Sequence, residues 1–211
     1  MLYLAPEHPN QLLAVMQSAT LQSRVDTLGH RISIAAARLK DTGFRFDRPE
    51  DVFPGPDRRT QTIIERIESA AGPLPQALKL FWLRVGSVDF SGHHPKWRGC
   101  EFLDQLVVFP PSVALAELEE FLSDREERMR ANFPYSVPIA PDIFHKADVS
   151  GGPPYSLAVP ATAEDPPVLD AMPAVSFLEH IEHALRYAGF PGLADCAQHT
   201  WPLADLVPQD A

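Results

Sequence analysis

Residues 10–41 contain no proline, although the whole chain of 211 residues carries 22. Alanine, leucine, glutamine and arginine dominate this stretch, and these residues favour helix. Apolar residues recur at helical spacing on two faces that point in nearly opposite directions. One face comprises Leu12, Leu13, Met16 and Ala19, and the other comprises Leu21, Val25, Leu28, Ile32, Ala35 and Leu39. The pattern is compatible with two helices, with one helix kinked near Gly29, or with one helix packed on two sides.

After residue 41 the chain is divided by prolines and glycines into short segments. Residues 43–59 carry three prolines and two glycines and predict a connector, of which 49–59 is the proline-rich part. Amphipathic patterns predict four further helices, at 60–71, 74–86, 112–130 and 174–188. Short β-prone runs predict strands at 87–90, 105–109, 136–140, 155–159 and 167–170.

These elements predict an α+β fold, a mostly antiparallel twisted sheet with packed helices and an N-terminal helical extension. We place the extension at 1–48, the connector at 49–59, the α+β domain at 60–192 and an irregular tail at 193–211. A chain of this length buries enough surface to form a core without metal or disulfide.

The charge of the chain is unevenly distributed. The net charge is −10, from 18 basic and 28 acidic residues. Residues 1–71 carry nine of each sign, so the whole excess lies in residues 72–211. Nucleic acid is an unfavourable partner for such a chain, because neutralising phosphates requires clustered lysine and arginine. An acidic surface instead favours the binding of a basic protein partner. The alternative is that the chain is simply a solvated acidic protein, whose charge has no role in binding.

The remaining patterns argue against several other classes. The two cysteines, Cys100 and Cys196, lack metal-ligand spacing, and the histidine pairs 93–94 and 180–183 match no zinc motif. Phosphate-binding glycine loops are absent. We therefore expect no metal and no cofactor. The N-terminus does not match a signal peptide and no apolar run is long enough for a membrane span, so we expect a cytoplasmic protein without membrane contact.

Two groups of polar residues are candidate sites. The segment DIFHKAD places His145 beside Asp142 and Asp148, a composition that suits a general base with an orienting carboxylate, and that equally suits an ordinary loop. The segment DFSGHHPKWRG joins aromatic and charged residues suited to a binding anchor. The candidate protein-binding residues are those of this segment together with those of the first, namely Asp89, His93, His94, Trp97, Arg98, Asp142, His145 and Asp148. The alternative for Trp97 is that its ring folds back on the core.

From Gly72 onward the order of motifs resembles the SUKH superfamily, which includes yeast cell-wall synthesis regulators and bacterial immunity proteins for polymorphic toxins. The resemblance is carried by Leu74-Pro75 opening a helix that ends in FWLRVGSVDFSG, by VPIAPDIFHKADVSGGPPYSLAVP, and by the closing helix SFLEHIEHALRYAGFP. It covers about residues 60–192. Where family members show a glycine pair after the aromatic helix, this chain has Gly86-Ser87.

The resemblance implies a protein-binding domain without catalytic residues, most simply an immunity protein that covers the functional surface of a toxin. A housekeeping scaffold or regulator with the same fold is the alternative within the binding class. The alternative from another class is a small hydrolase-like enzyme that uses the Asp142, His145 and Asp148 cluster, or His93 with Asp89, for acid–base catalysis.

Overall fold

The structure is a computed structural model that describes residues 9–95, 97, 102–123, 135–171 and 174–195. For residues 9–18, 194 and 195 it describes the backbone alone.

The proline-free stretch forms one uninterrupted helix, α1, over Pro9–Asp41, so the two-helix alternative is wrong. The second predicted face is buried at every position: Leu21, Val25, Leu28, Ile32, Ala35 and Leu39. Of the first face, Leu12, Leu13 and Met16 lie outside the described side chains, and Ala19 is exposed. At Gly29 a Cβ atom would lie 3.0 Å from Val85, so the missing side chain lets α1 approach the next layer closely.

Four of the other helices lie close to the predicted positions: α2 (Thr60–Ala71), α3 (Gln76–Arg84), α4 (Pro111–Ser123) and α6 (Phe177–Arg186). The four-residue helix α5 (Ile143–Lys146), which lies between α4 and α6, and the 3₁₀ turn at Pro191–Asp195 are not predicted. The predicted end of α4 at residue 130 lies outside the described residues. Helix α6 begins with a capping box in which Ser176 and Glu179 satisfy each other's backbone N–H groups. Its predicted inner face is buried: Phe177, Ile181, Ala184, Leu185 and Ala188.

The described strands are short and pair only in antiparallel fashion. They are β1 (Arg45–Phe46), β2 (Val88–Asp89), β3 (Gly92–His93), β4 (Val107–Val108), β5 (Ser136–Ala140) and β6 (Tyr155–Ala158). They form three two-stranded ladders, β1 with β3, β2 with β4, and β5 with β6. One hydrogen bond of 2.7 Å, from Phe109 N–H to Ile139 O, links the β4 and β5 ladders. The predicted α+β class with antiparallel pairing is confirmed.

The sequence-based strand predictions are matched unevenly. Four predicted strands contain β2, β4, β5 and β6, whereas residues 167–170 contribute only two isolated bridges, Leu169 to Ser156 and Pro167 to Ser176. The β1–β3 pair is not predicted, because two-residue strands carry no periodic pattern.

Helix α1 shares one hydrophobic core with the rest of the chain. Its buried face packs against α3 and α6, while α2 packs against α4. Polar contacts reinforce these interfaces: Arg24 Nη2 lies 2.9 Å from Glu182 Oε1, and Arg84 Nη2 lies 2.8 Å from Asp26 Oδ2. The predicted extension therefore contacts the predicted 60–192 domain directly. Among the described helices, none has the length and apolarity needed to cross a membrane.

Candidate functional site

The segment that contains Asp142, His145 and Asp148 folds into a compact turn around α5, here called the α5 turn and comprising residues 142–149. Asp142 caps α5, because its Oδ1 accepts hydrogen bonds from the N–H groups of Phe144 and His145 at 2.7 and 2.9 Å. At the other end, Val149 N–H donates to Phe144 O at 2.9 Å. Asp148 lies between them with a positive φ of 58°, which aspartate adopts more readily than most residues. Both ends of the turn are thus fixed by hydrogen bonds.

Asp142 and His145 form a direct side-chain pair. Asp142 Oδ2 lies 2.8 Å from His145 Nδ1, and the carboxylate is buried while 56% of the imidazole side chain is exposed. Burial by itself raises the pKa of Asp142, but the backbone N–H of His145, the imidazole and the N–H of Phe144 together hold that pKa below its usual value. A Cβ atom at Gly151 would collide with both side chains, so the glycine backbone seals one side of the pair.

Lys146 points from the α5 turn into the protein. Only 3% of its side chain is exposed, and its Nζ lies 2.7 Å from Asp104 Oδ1 and 4.9 Å from the ring centre of Tyr155. Burial lowers the pKa of Lys146, whereas Asp104, Asp142 and Asp89 all favour its charged form. The structure therefore brings Asp89 and Asp142, from two separate sequence segments, into electrostatic range of one buried lysine.

Two more titratable groups adjoin this lysine. The rings of Tyr155 and His180 meet edge to face with centres 5.4 Å apart. Burial and the charge of Lys146 lower the pKa of His180 to about 4, while burial and the carboxylates of Asp104 and Asp142 raise the pKa of Tyr155. We call Asp104, Asp142, Lys146, Tyr155 and His180 the buried polar cluster. It supports the α5 turn from beneath.

The outer side of the α5 turn carries exposed apolar side chains. Phe102 and Phe144 are 42% and 48% exposed, and their rings meet edge to face with centres 5.8 Å apart. Val149, on the same turn, is 49% exposed. We call Phe102, Phe144, His145, Asp148 and Val149 the Phe144 surface. Exposed aromatic side chains held on an ordered turn are typical of binding sites, because aromatic anchors dominate interface energetics.

The loop at 89–98 does not present its candidate residues on one surface. Asp89 is buried, forms an ion pair with Arg48, and accepts a hydrogen bond from Ser91 N–H at 2.9 Å. His94 is also buried, with Nε2 3.0 Å from Thr42 O, whereas His93 is exposed on β3. Arg98 lies outside the described residues.

The half-buried ring of Trp97 lies on the core. Its centre is 5.0 Å from Phe190 and 5.4 Å from Phe44, so the indole adopts the alternative arrangement in which it folds back. Binding by this loop stays a prediction, and the geometry leaves only His93 clearly directed outward among its described candidates.

Grooves also lie elsewhere on the part of the chain that the structure describes. One of about 350 Å³ runs between the connector prolines Pro54 and Pro56 and the start of α4 at Pro111. A smaller one of about 160 Å³ is lined by Asp89 and Arg48. Neither groove is lined by Asp142 or His145, so the pair faces no part of these cavities.

Comparison with protein-family models, with curated proteins and with solved structures found no match. The resemblance to the SUKH superfamily therefore stays a prediction. Among the residues that the structure describes, no three histidine, cysteine, aspartate or glutamate side chains are grouped so as to hold a metal ion.

Sequence reasoning missed Asp104, Phe102 and Phe144, and it treated Lys146 only as part of a polar loop. The sequence carries no signal that Phe144 is exposed, because no helix is predicted at 143–146 and phenylalanine is a residue type that is usually buried. No local signal connects Phe102 or Asp104 with that turn, because about 40 residues separate them along the chain.

Proposed function

We propose that this protein is a non-catalytic protein-binding domain, of the immunity-protein type, that neutralises a toxin by covering its functional surface. The observation that carries the proposal is the Phe144 surface, where two aromatic side chains remain exposed on a turn fixed at both ends. Exposed apolar groups gain free energy when a partner removes them from water, at about 25 cal/mol per Å² of apolar area. The turn loses little conformational entropy on binding, because it is already ordered.

The charge of the chain supports a basic partner. The net charge is −10, and Lys146, the basic residue of the α5 turn, is directed inward onto Asp104. Asp148 is exposed on the same turn. A negative surface speeds encounter with a positive one and lends specificity to the contact. We also propose a cytoplasmic location, where such an inhibitor meets a toxin that acts inside the cell.

The proposal is tested by expressing this chain together with the protein encoded by the neighbouring gene. We expect the neighbour to stop growth when expressed alone, and co-expression of this chain to restore growth. An inactive form of the neighbour should co-purify with this chain as a stable complex. A neighbouring set of metabolic genes, with no toxic product that this chain binds, would instead support the housekeeping regulator or the enzyme.

The Asp142–His145 pair favours one second candidate, an enzyme in which His145 is a general base oriented by Asp142. The variant His145→Gln distinguishes the two candidates. An acid–base enzyme loses turnover by a factor of about 10² or more with this variant. A binding domain has no turnover to lose, so the variant can change only its affinity for the partner. A matched His30→Gln variant, in an exposed histidine on α1 that belongs to neither candidate site, controls for unspecific effects.

A further inference from the structure

The Phe144 surface combines two features that together suit one kind of side chain. Phe102 and Phe144 stand at 79° to each other, so the face of one ring meets the edge of the other. Both residues keep more than a third of their surface exposed to solvent. The face of an aromatic ring carries partial negative charge and attracts a cation placed over it.

Asp148 adds a full negative charge to this surface. Its carboxylate is exposed and makes no hydrogen bond or ion pair with any residue that the structure describes. The basic residue nearest to it in sequence, Lys146, is withdrawn into the buried polar cluster. His145 is engaged through Nδ1 by Asp142. The negative charge of Asp148 is therefore uncompensated by the turn itself.

We propose that the Phe144 surface binds an arginine side chain of the partner, with the guanidinium between the Asp148 carboxylate and the rings of Phe102 and Phe144. Arginine fits better than lysine, because its planar group stacks on aromatic rings and donates in parallel to a carboxylate. The neighbouring Val149 suits an apolar residue beside that arginine. This inference rests on the proposed function and names the partner chemistry that the surface recognises.

The test uses the full chain and two short amidated peptides. One alternates leucine and arginine, and the other replaces each arginine by citrulline, which has nearly the same shape without the charge. Titration is followed by the amide resonances of the ¹⁵N-labelled protein. We expect the arginine peptide to shift the resonances of residues 102 and 144–149 and to bind about tenfold more tightly than the citrulline peptide.

Two variants separate the contributions. Asp148→Asn keeps the backbone conformation accessible, because asparagine also adopts positive φ. It should lower the affinity for the arginine peptide by about threefold or more and leave the affinity for the citrulline peptide unchanged. Phe144→Leu keeps apolar area but removes the aromatic ring. It should therefore also reduce the difference in affinity between the arginine peptide and the citrulline peptide. Equal affinities for both peptides at this surface overturn the arginine inference and leave the binding domain standing. Shifts confined to other residues, or no shifts with either peptide, also overturn it. Failure of the proposed function itself is detected separately, by the growth experiment.

Discussion

Lys146 Nζ and Asp104 Oδ1 lie 2.7 Å apart beneath the α5 turn, and only 3% of the lysine side chain reaches solvent. A buried ion pair contributes little net stability when compared with an apolar pair, but the loss of one partner leaves an uncompensated charge. The pair therefore fixes the position of the α5 turn relative to residues 102–104. Phe102 precedes Asp104 by two positions, and Phe144 precedes Lys146 by two positions. The same contact therefore also holds the two exposed rings together.

The first prediction concerns this pair. Lys146→Met should lower the free energy of unfolding by about 3 kcal/mol or more, because Asp104 is left without its cation. The double variant with Asp104→Asn should recover part of that loss. Urea denaturation of the wild type, both single variants and the double variant measures the coupling. Strictly additive losses would show that the two charges do not stabilise each other.

The second prediction concerns pH. The pKa of His180 is about 4 in the folded protein and 6.5 ordinarily, so the unfolded chain binds more protons between these values. The contribution of the neutral imidazole to the free energy of unfolding is thus fully present above pH 6.5 and is lost as the pH falls toward 4. The loss should be on the order of 3 kcal/mol.

His180→Gln isolates this contribution, because it removes the titrating ring while the carboxylates of the fold remain. Denaturation midpoints at pH 7 and pH 4.5 should differ less in the variant than in the wild type. An identical pH dependence in both proteins would mean that His180 is not held neutral by its surroundings.

Helix α6 can be predicted from the sequence, whereas the contacts of the α5 turn cannot. The buried stripe and the stop of α6 are local, periodic signals, and the sequence predicts its core residues correctly. The buried face of α1 follows in the same way. The Lys146–Asp104 contact joins residues 42 positions apart, and no periodicity specifies which charged residue turns inward. The exposure of Phe102 and Phe144 is not predicted either, because phenylalanine is a residue type that is usually buried.

The third prediction concerns the boundary between the N-terminal helix and the rest. The sequence-based division predicts that residues 60–192 fold alone, whereas the observed packing of α1 on α3 and α6 predicts that they do not. The fragment 60–192 lacks the buried face of α1, in which Leu21, Val25, Leu28, Ile32 and Leu39 each contribute roughly 1.5–3 kcal/mol through burial, against a typical total stability of about 5–15 kcal/mol.

We expect the fragment 60–192 to show no cooperative urea transition and to bind a hydrophobic dye that the full chain does not bind. A fragment that unfolds cooperatively, with a stability close to that of the full chain, would support the division drawn from the sequence.

The fourth prediction concerns Trp97, whose ring packs on Phe44 and Phe190. Trp97→Ala should lower the free energy of unfolding by about 3 kcal/mol, and Trp97→Phe by clearly less, because phenylalanine keeps part of the aromatic contact. Urea denaturation measures both. Unchanged stability of Trp97→Ala combined with weaker partner binding would assign the ring to the interface instead.

The central claim is that the Phe144 surface is where a protein partner binds, and the most direct measurement is the dissociation constant of the complex formed with the inactive neighbouring-gene product. Phe144→Ala should raise this constant by about thirtyfold or more, corresponding to a hot-spot loss of about 2 kcal/mol, and mainly through faster dissociation. Leu83→Ala, which truncates an exposed apolar residue of α3 outside this surface, should leave it unchanged. Equal dissociation constants for wild type, Phe144→Ala and Leu83→Ala, with the fold of each intact, would contradict the account.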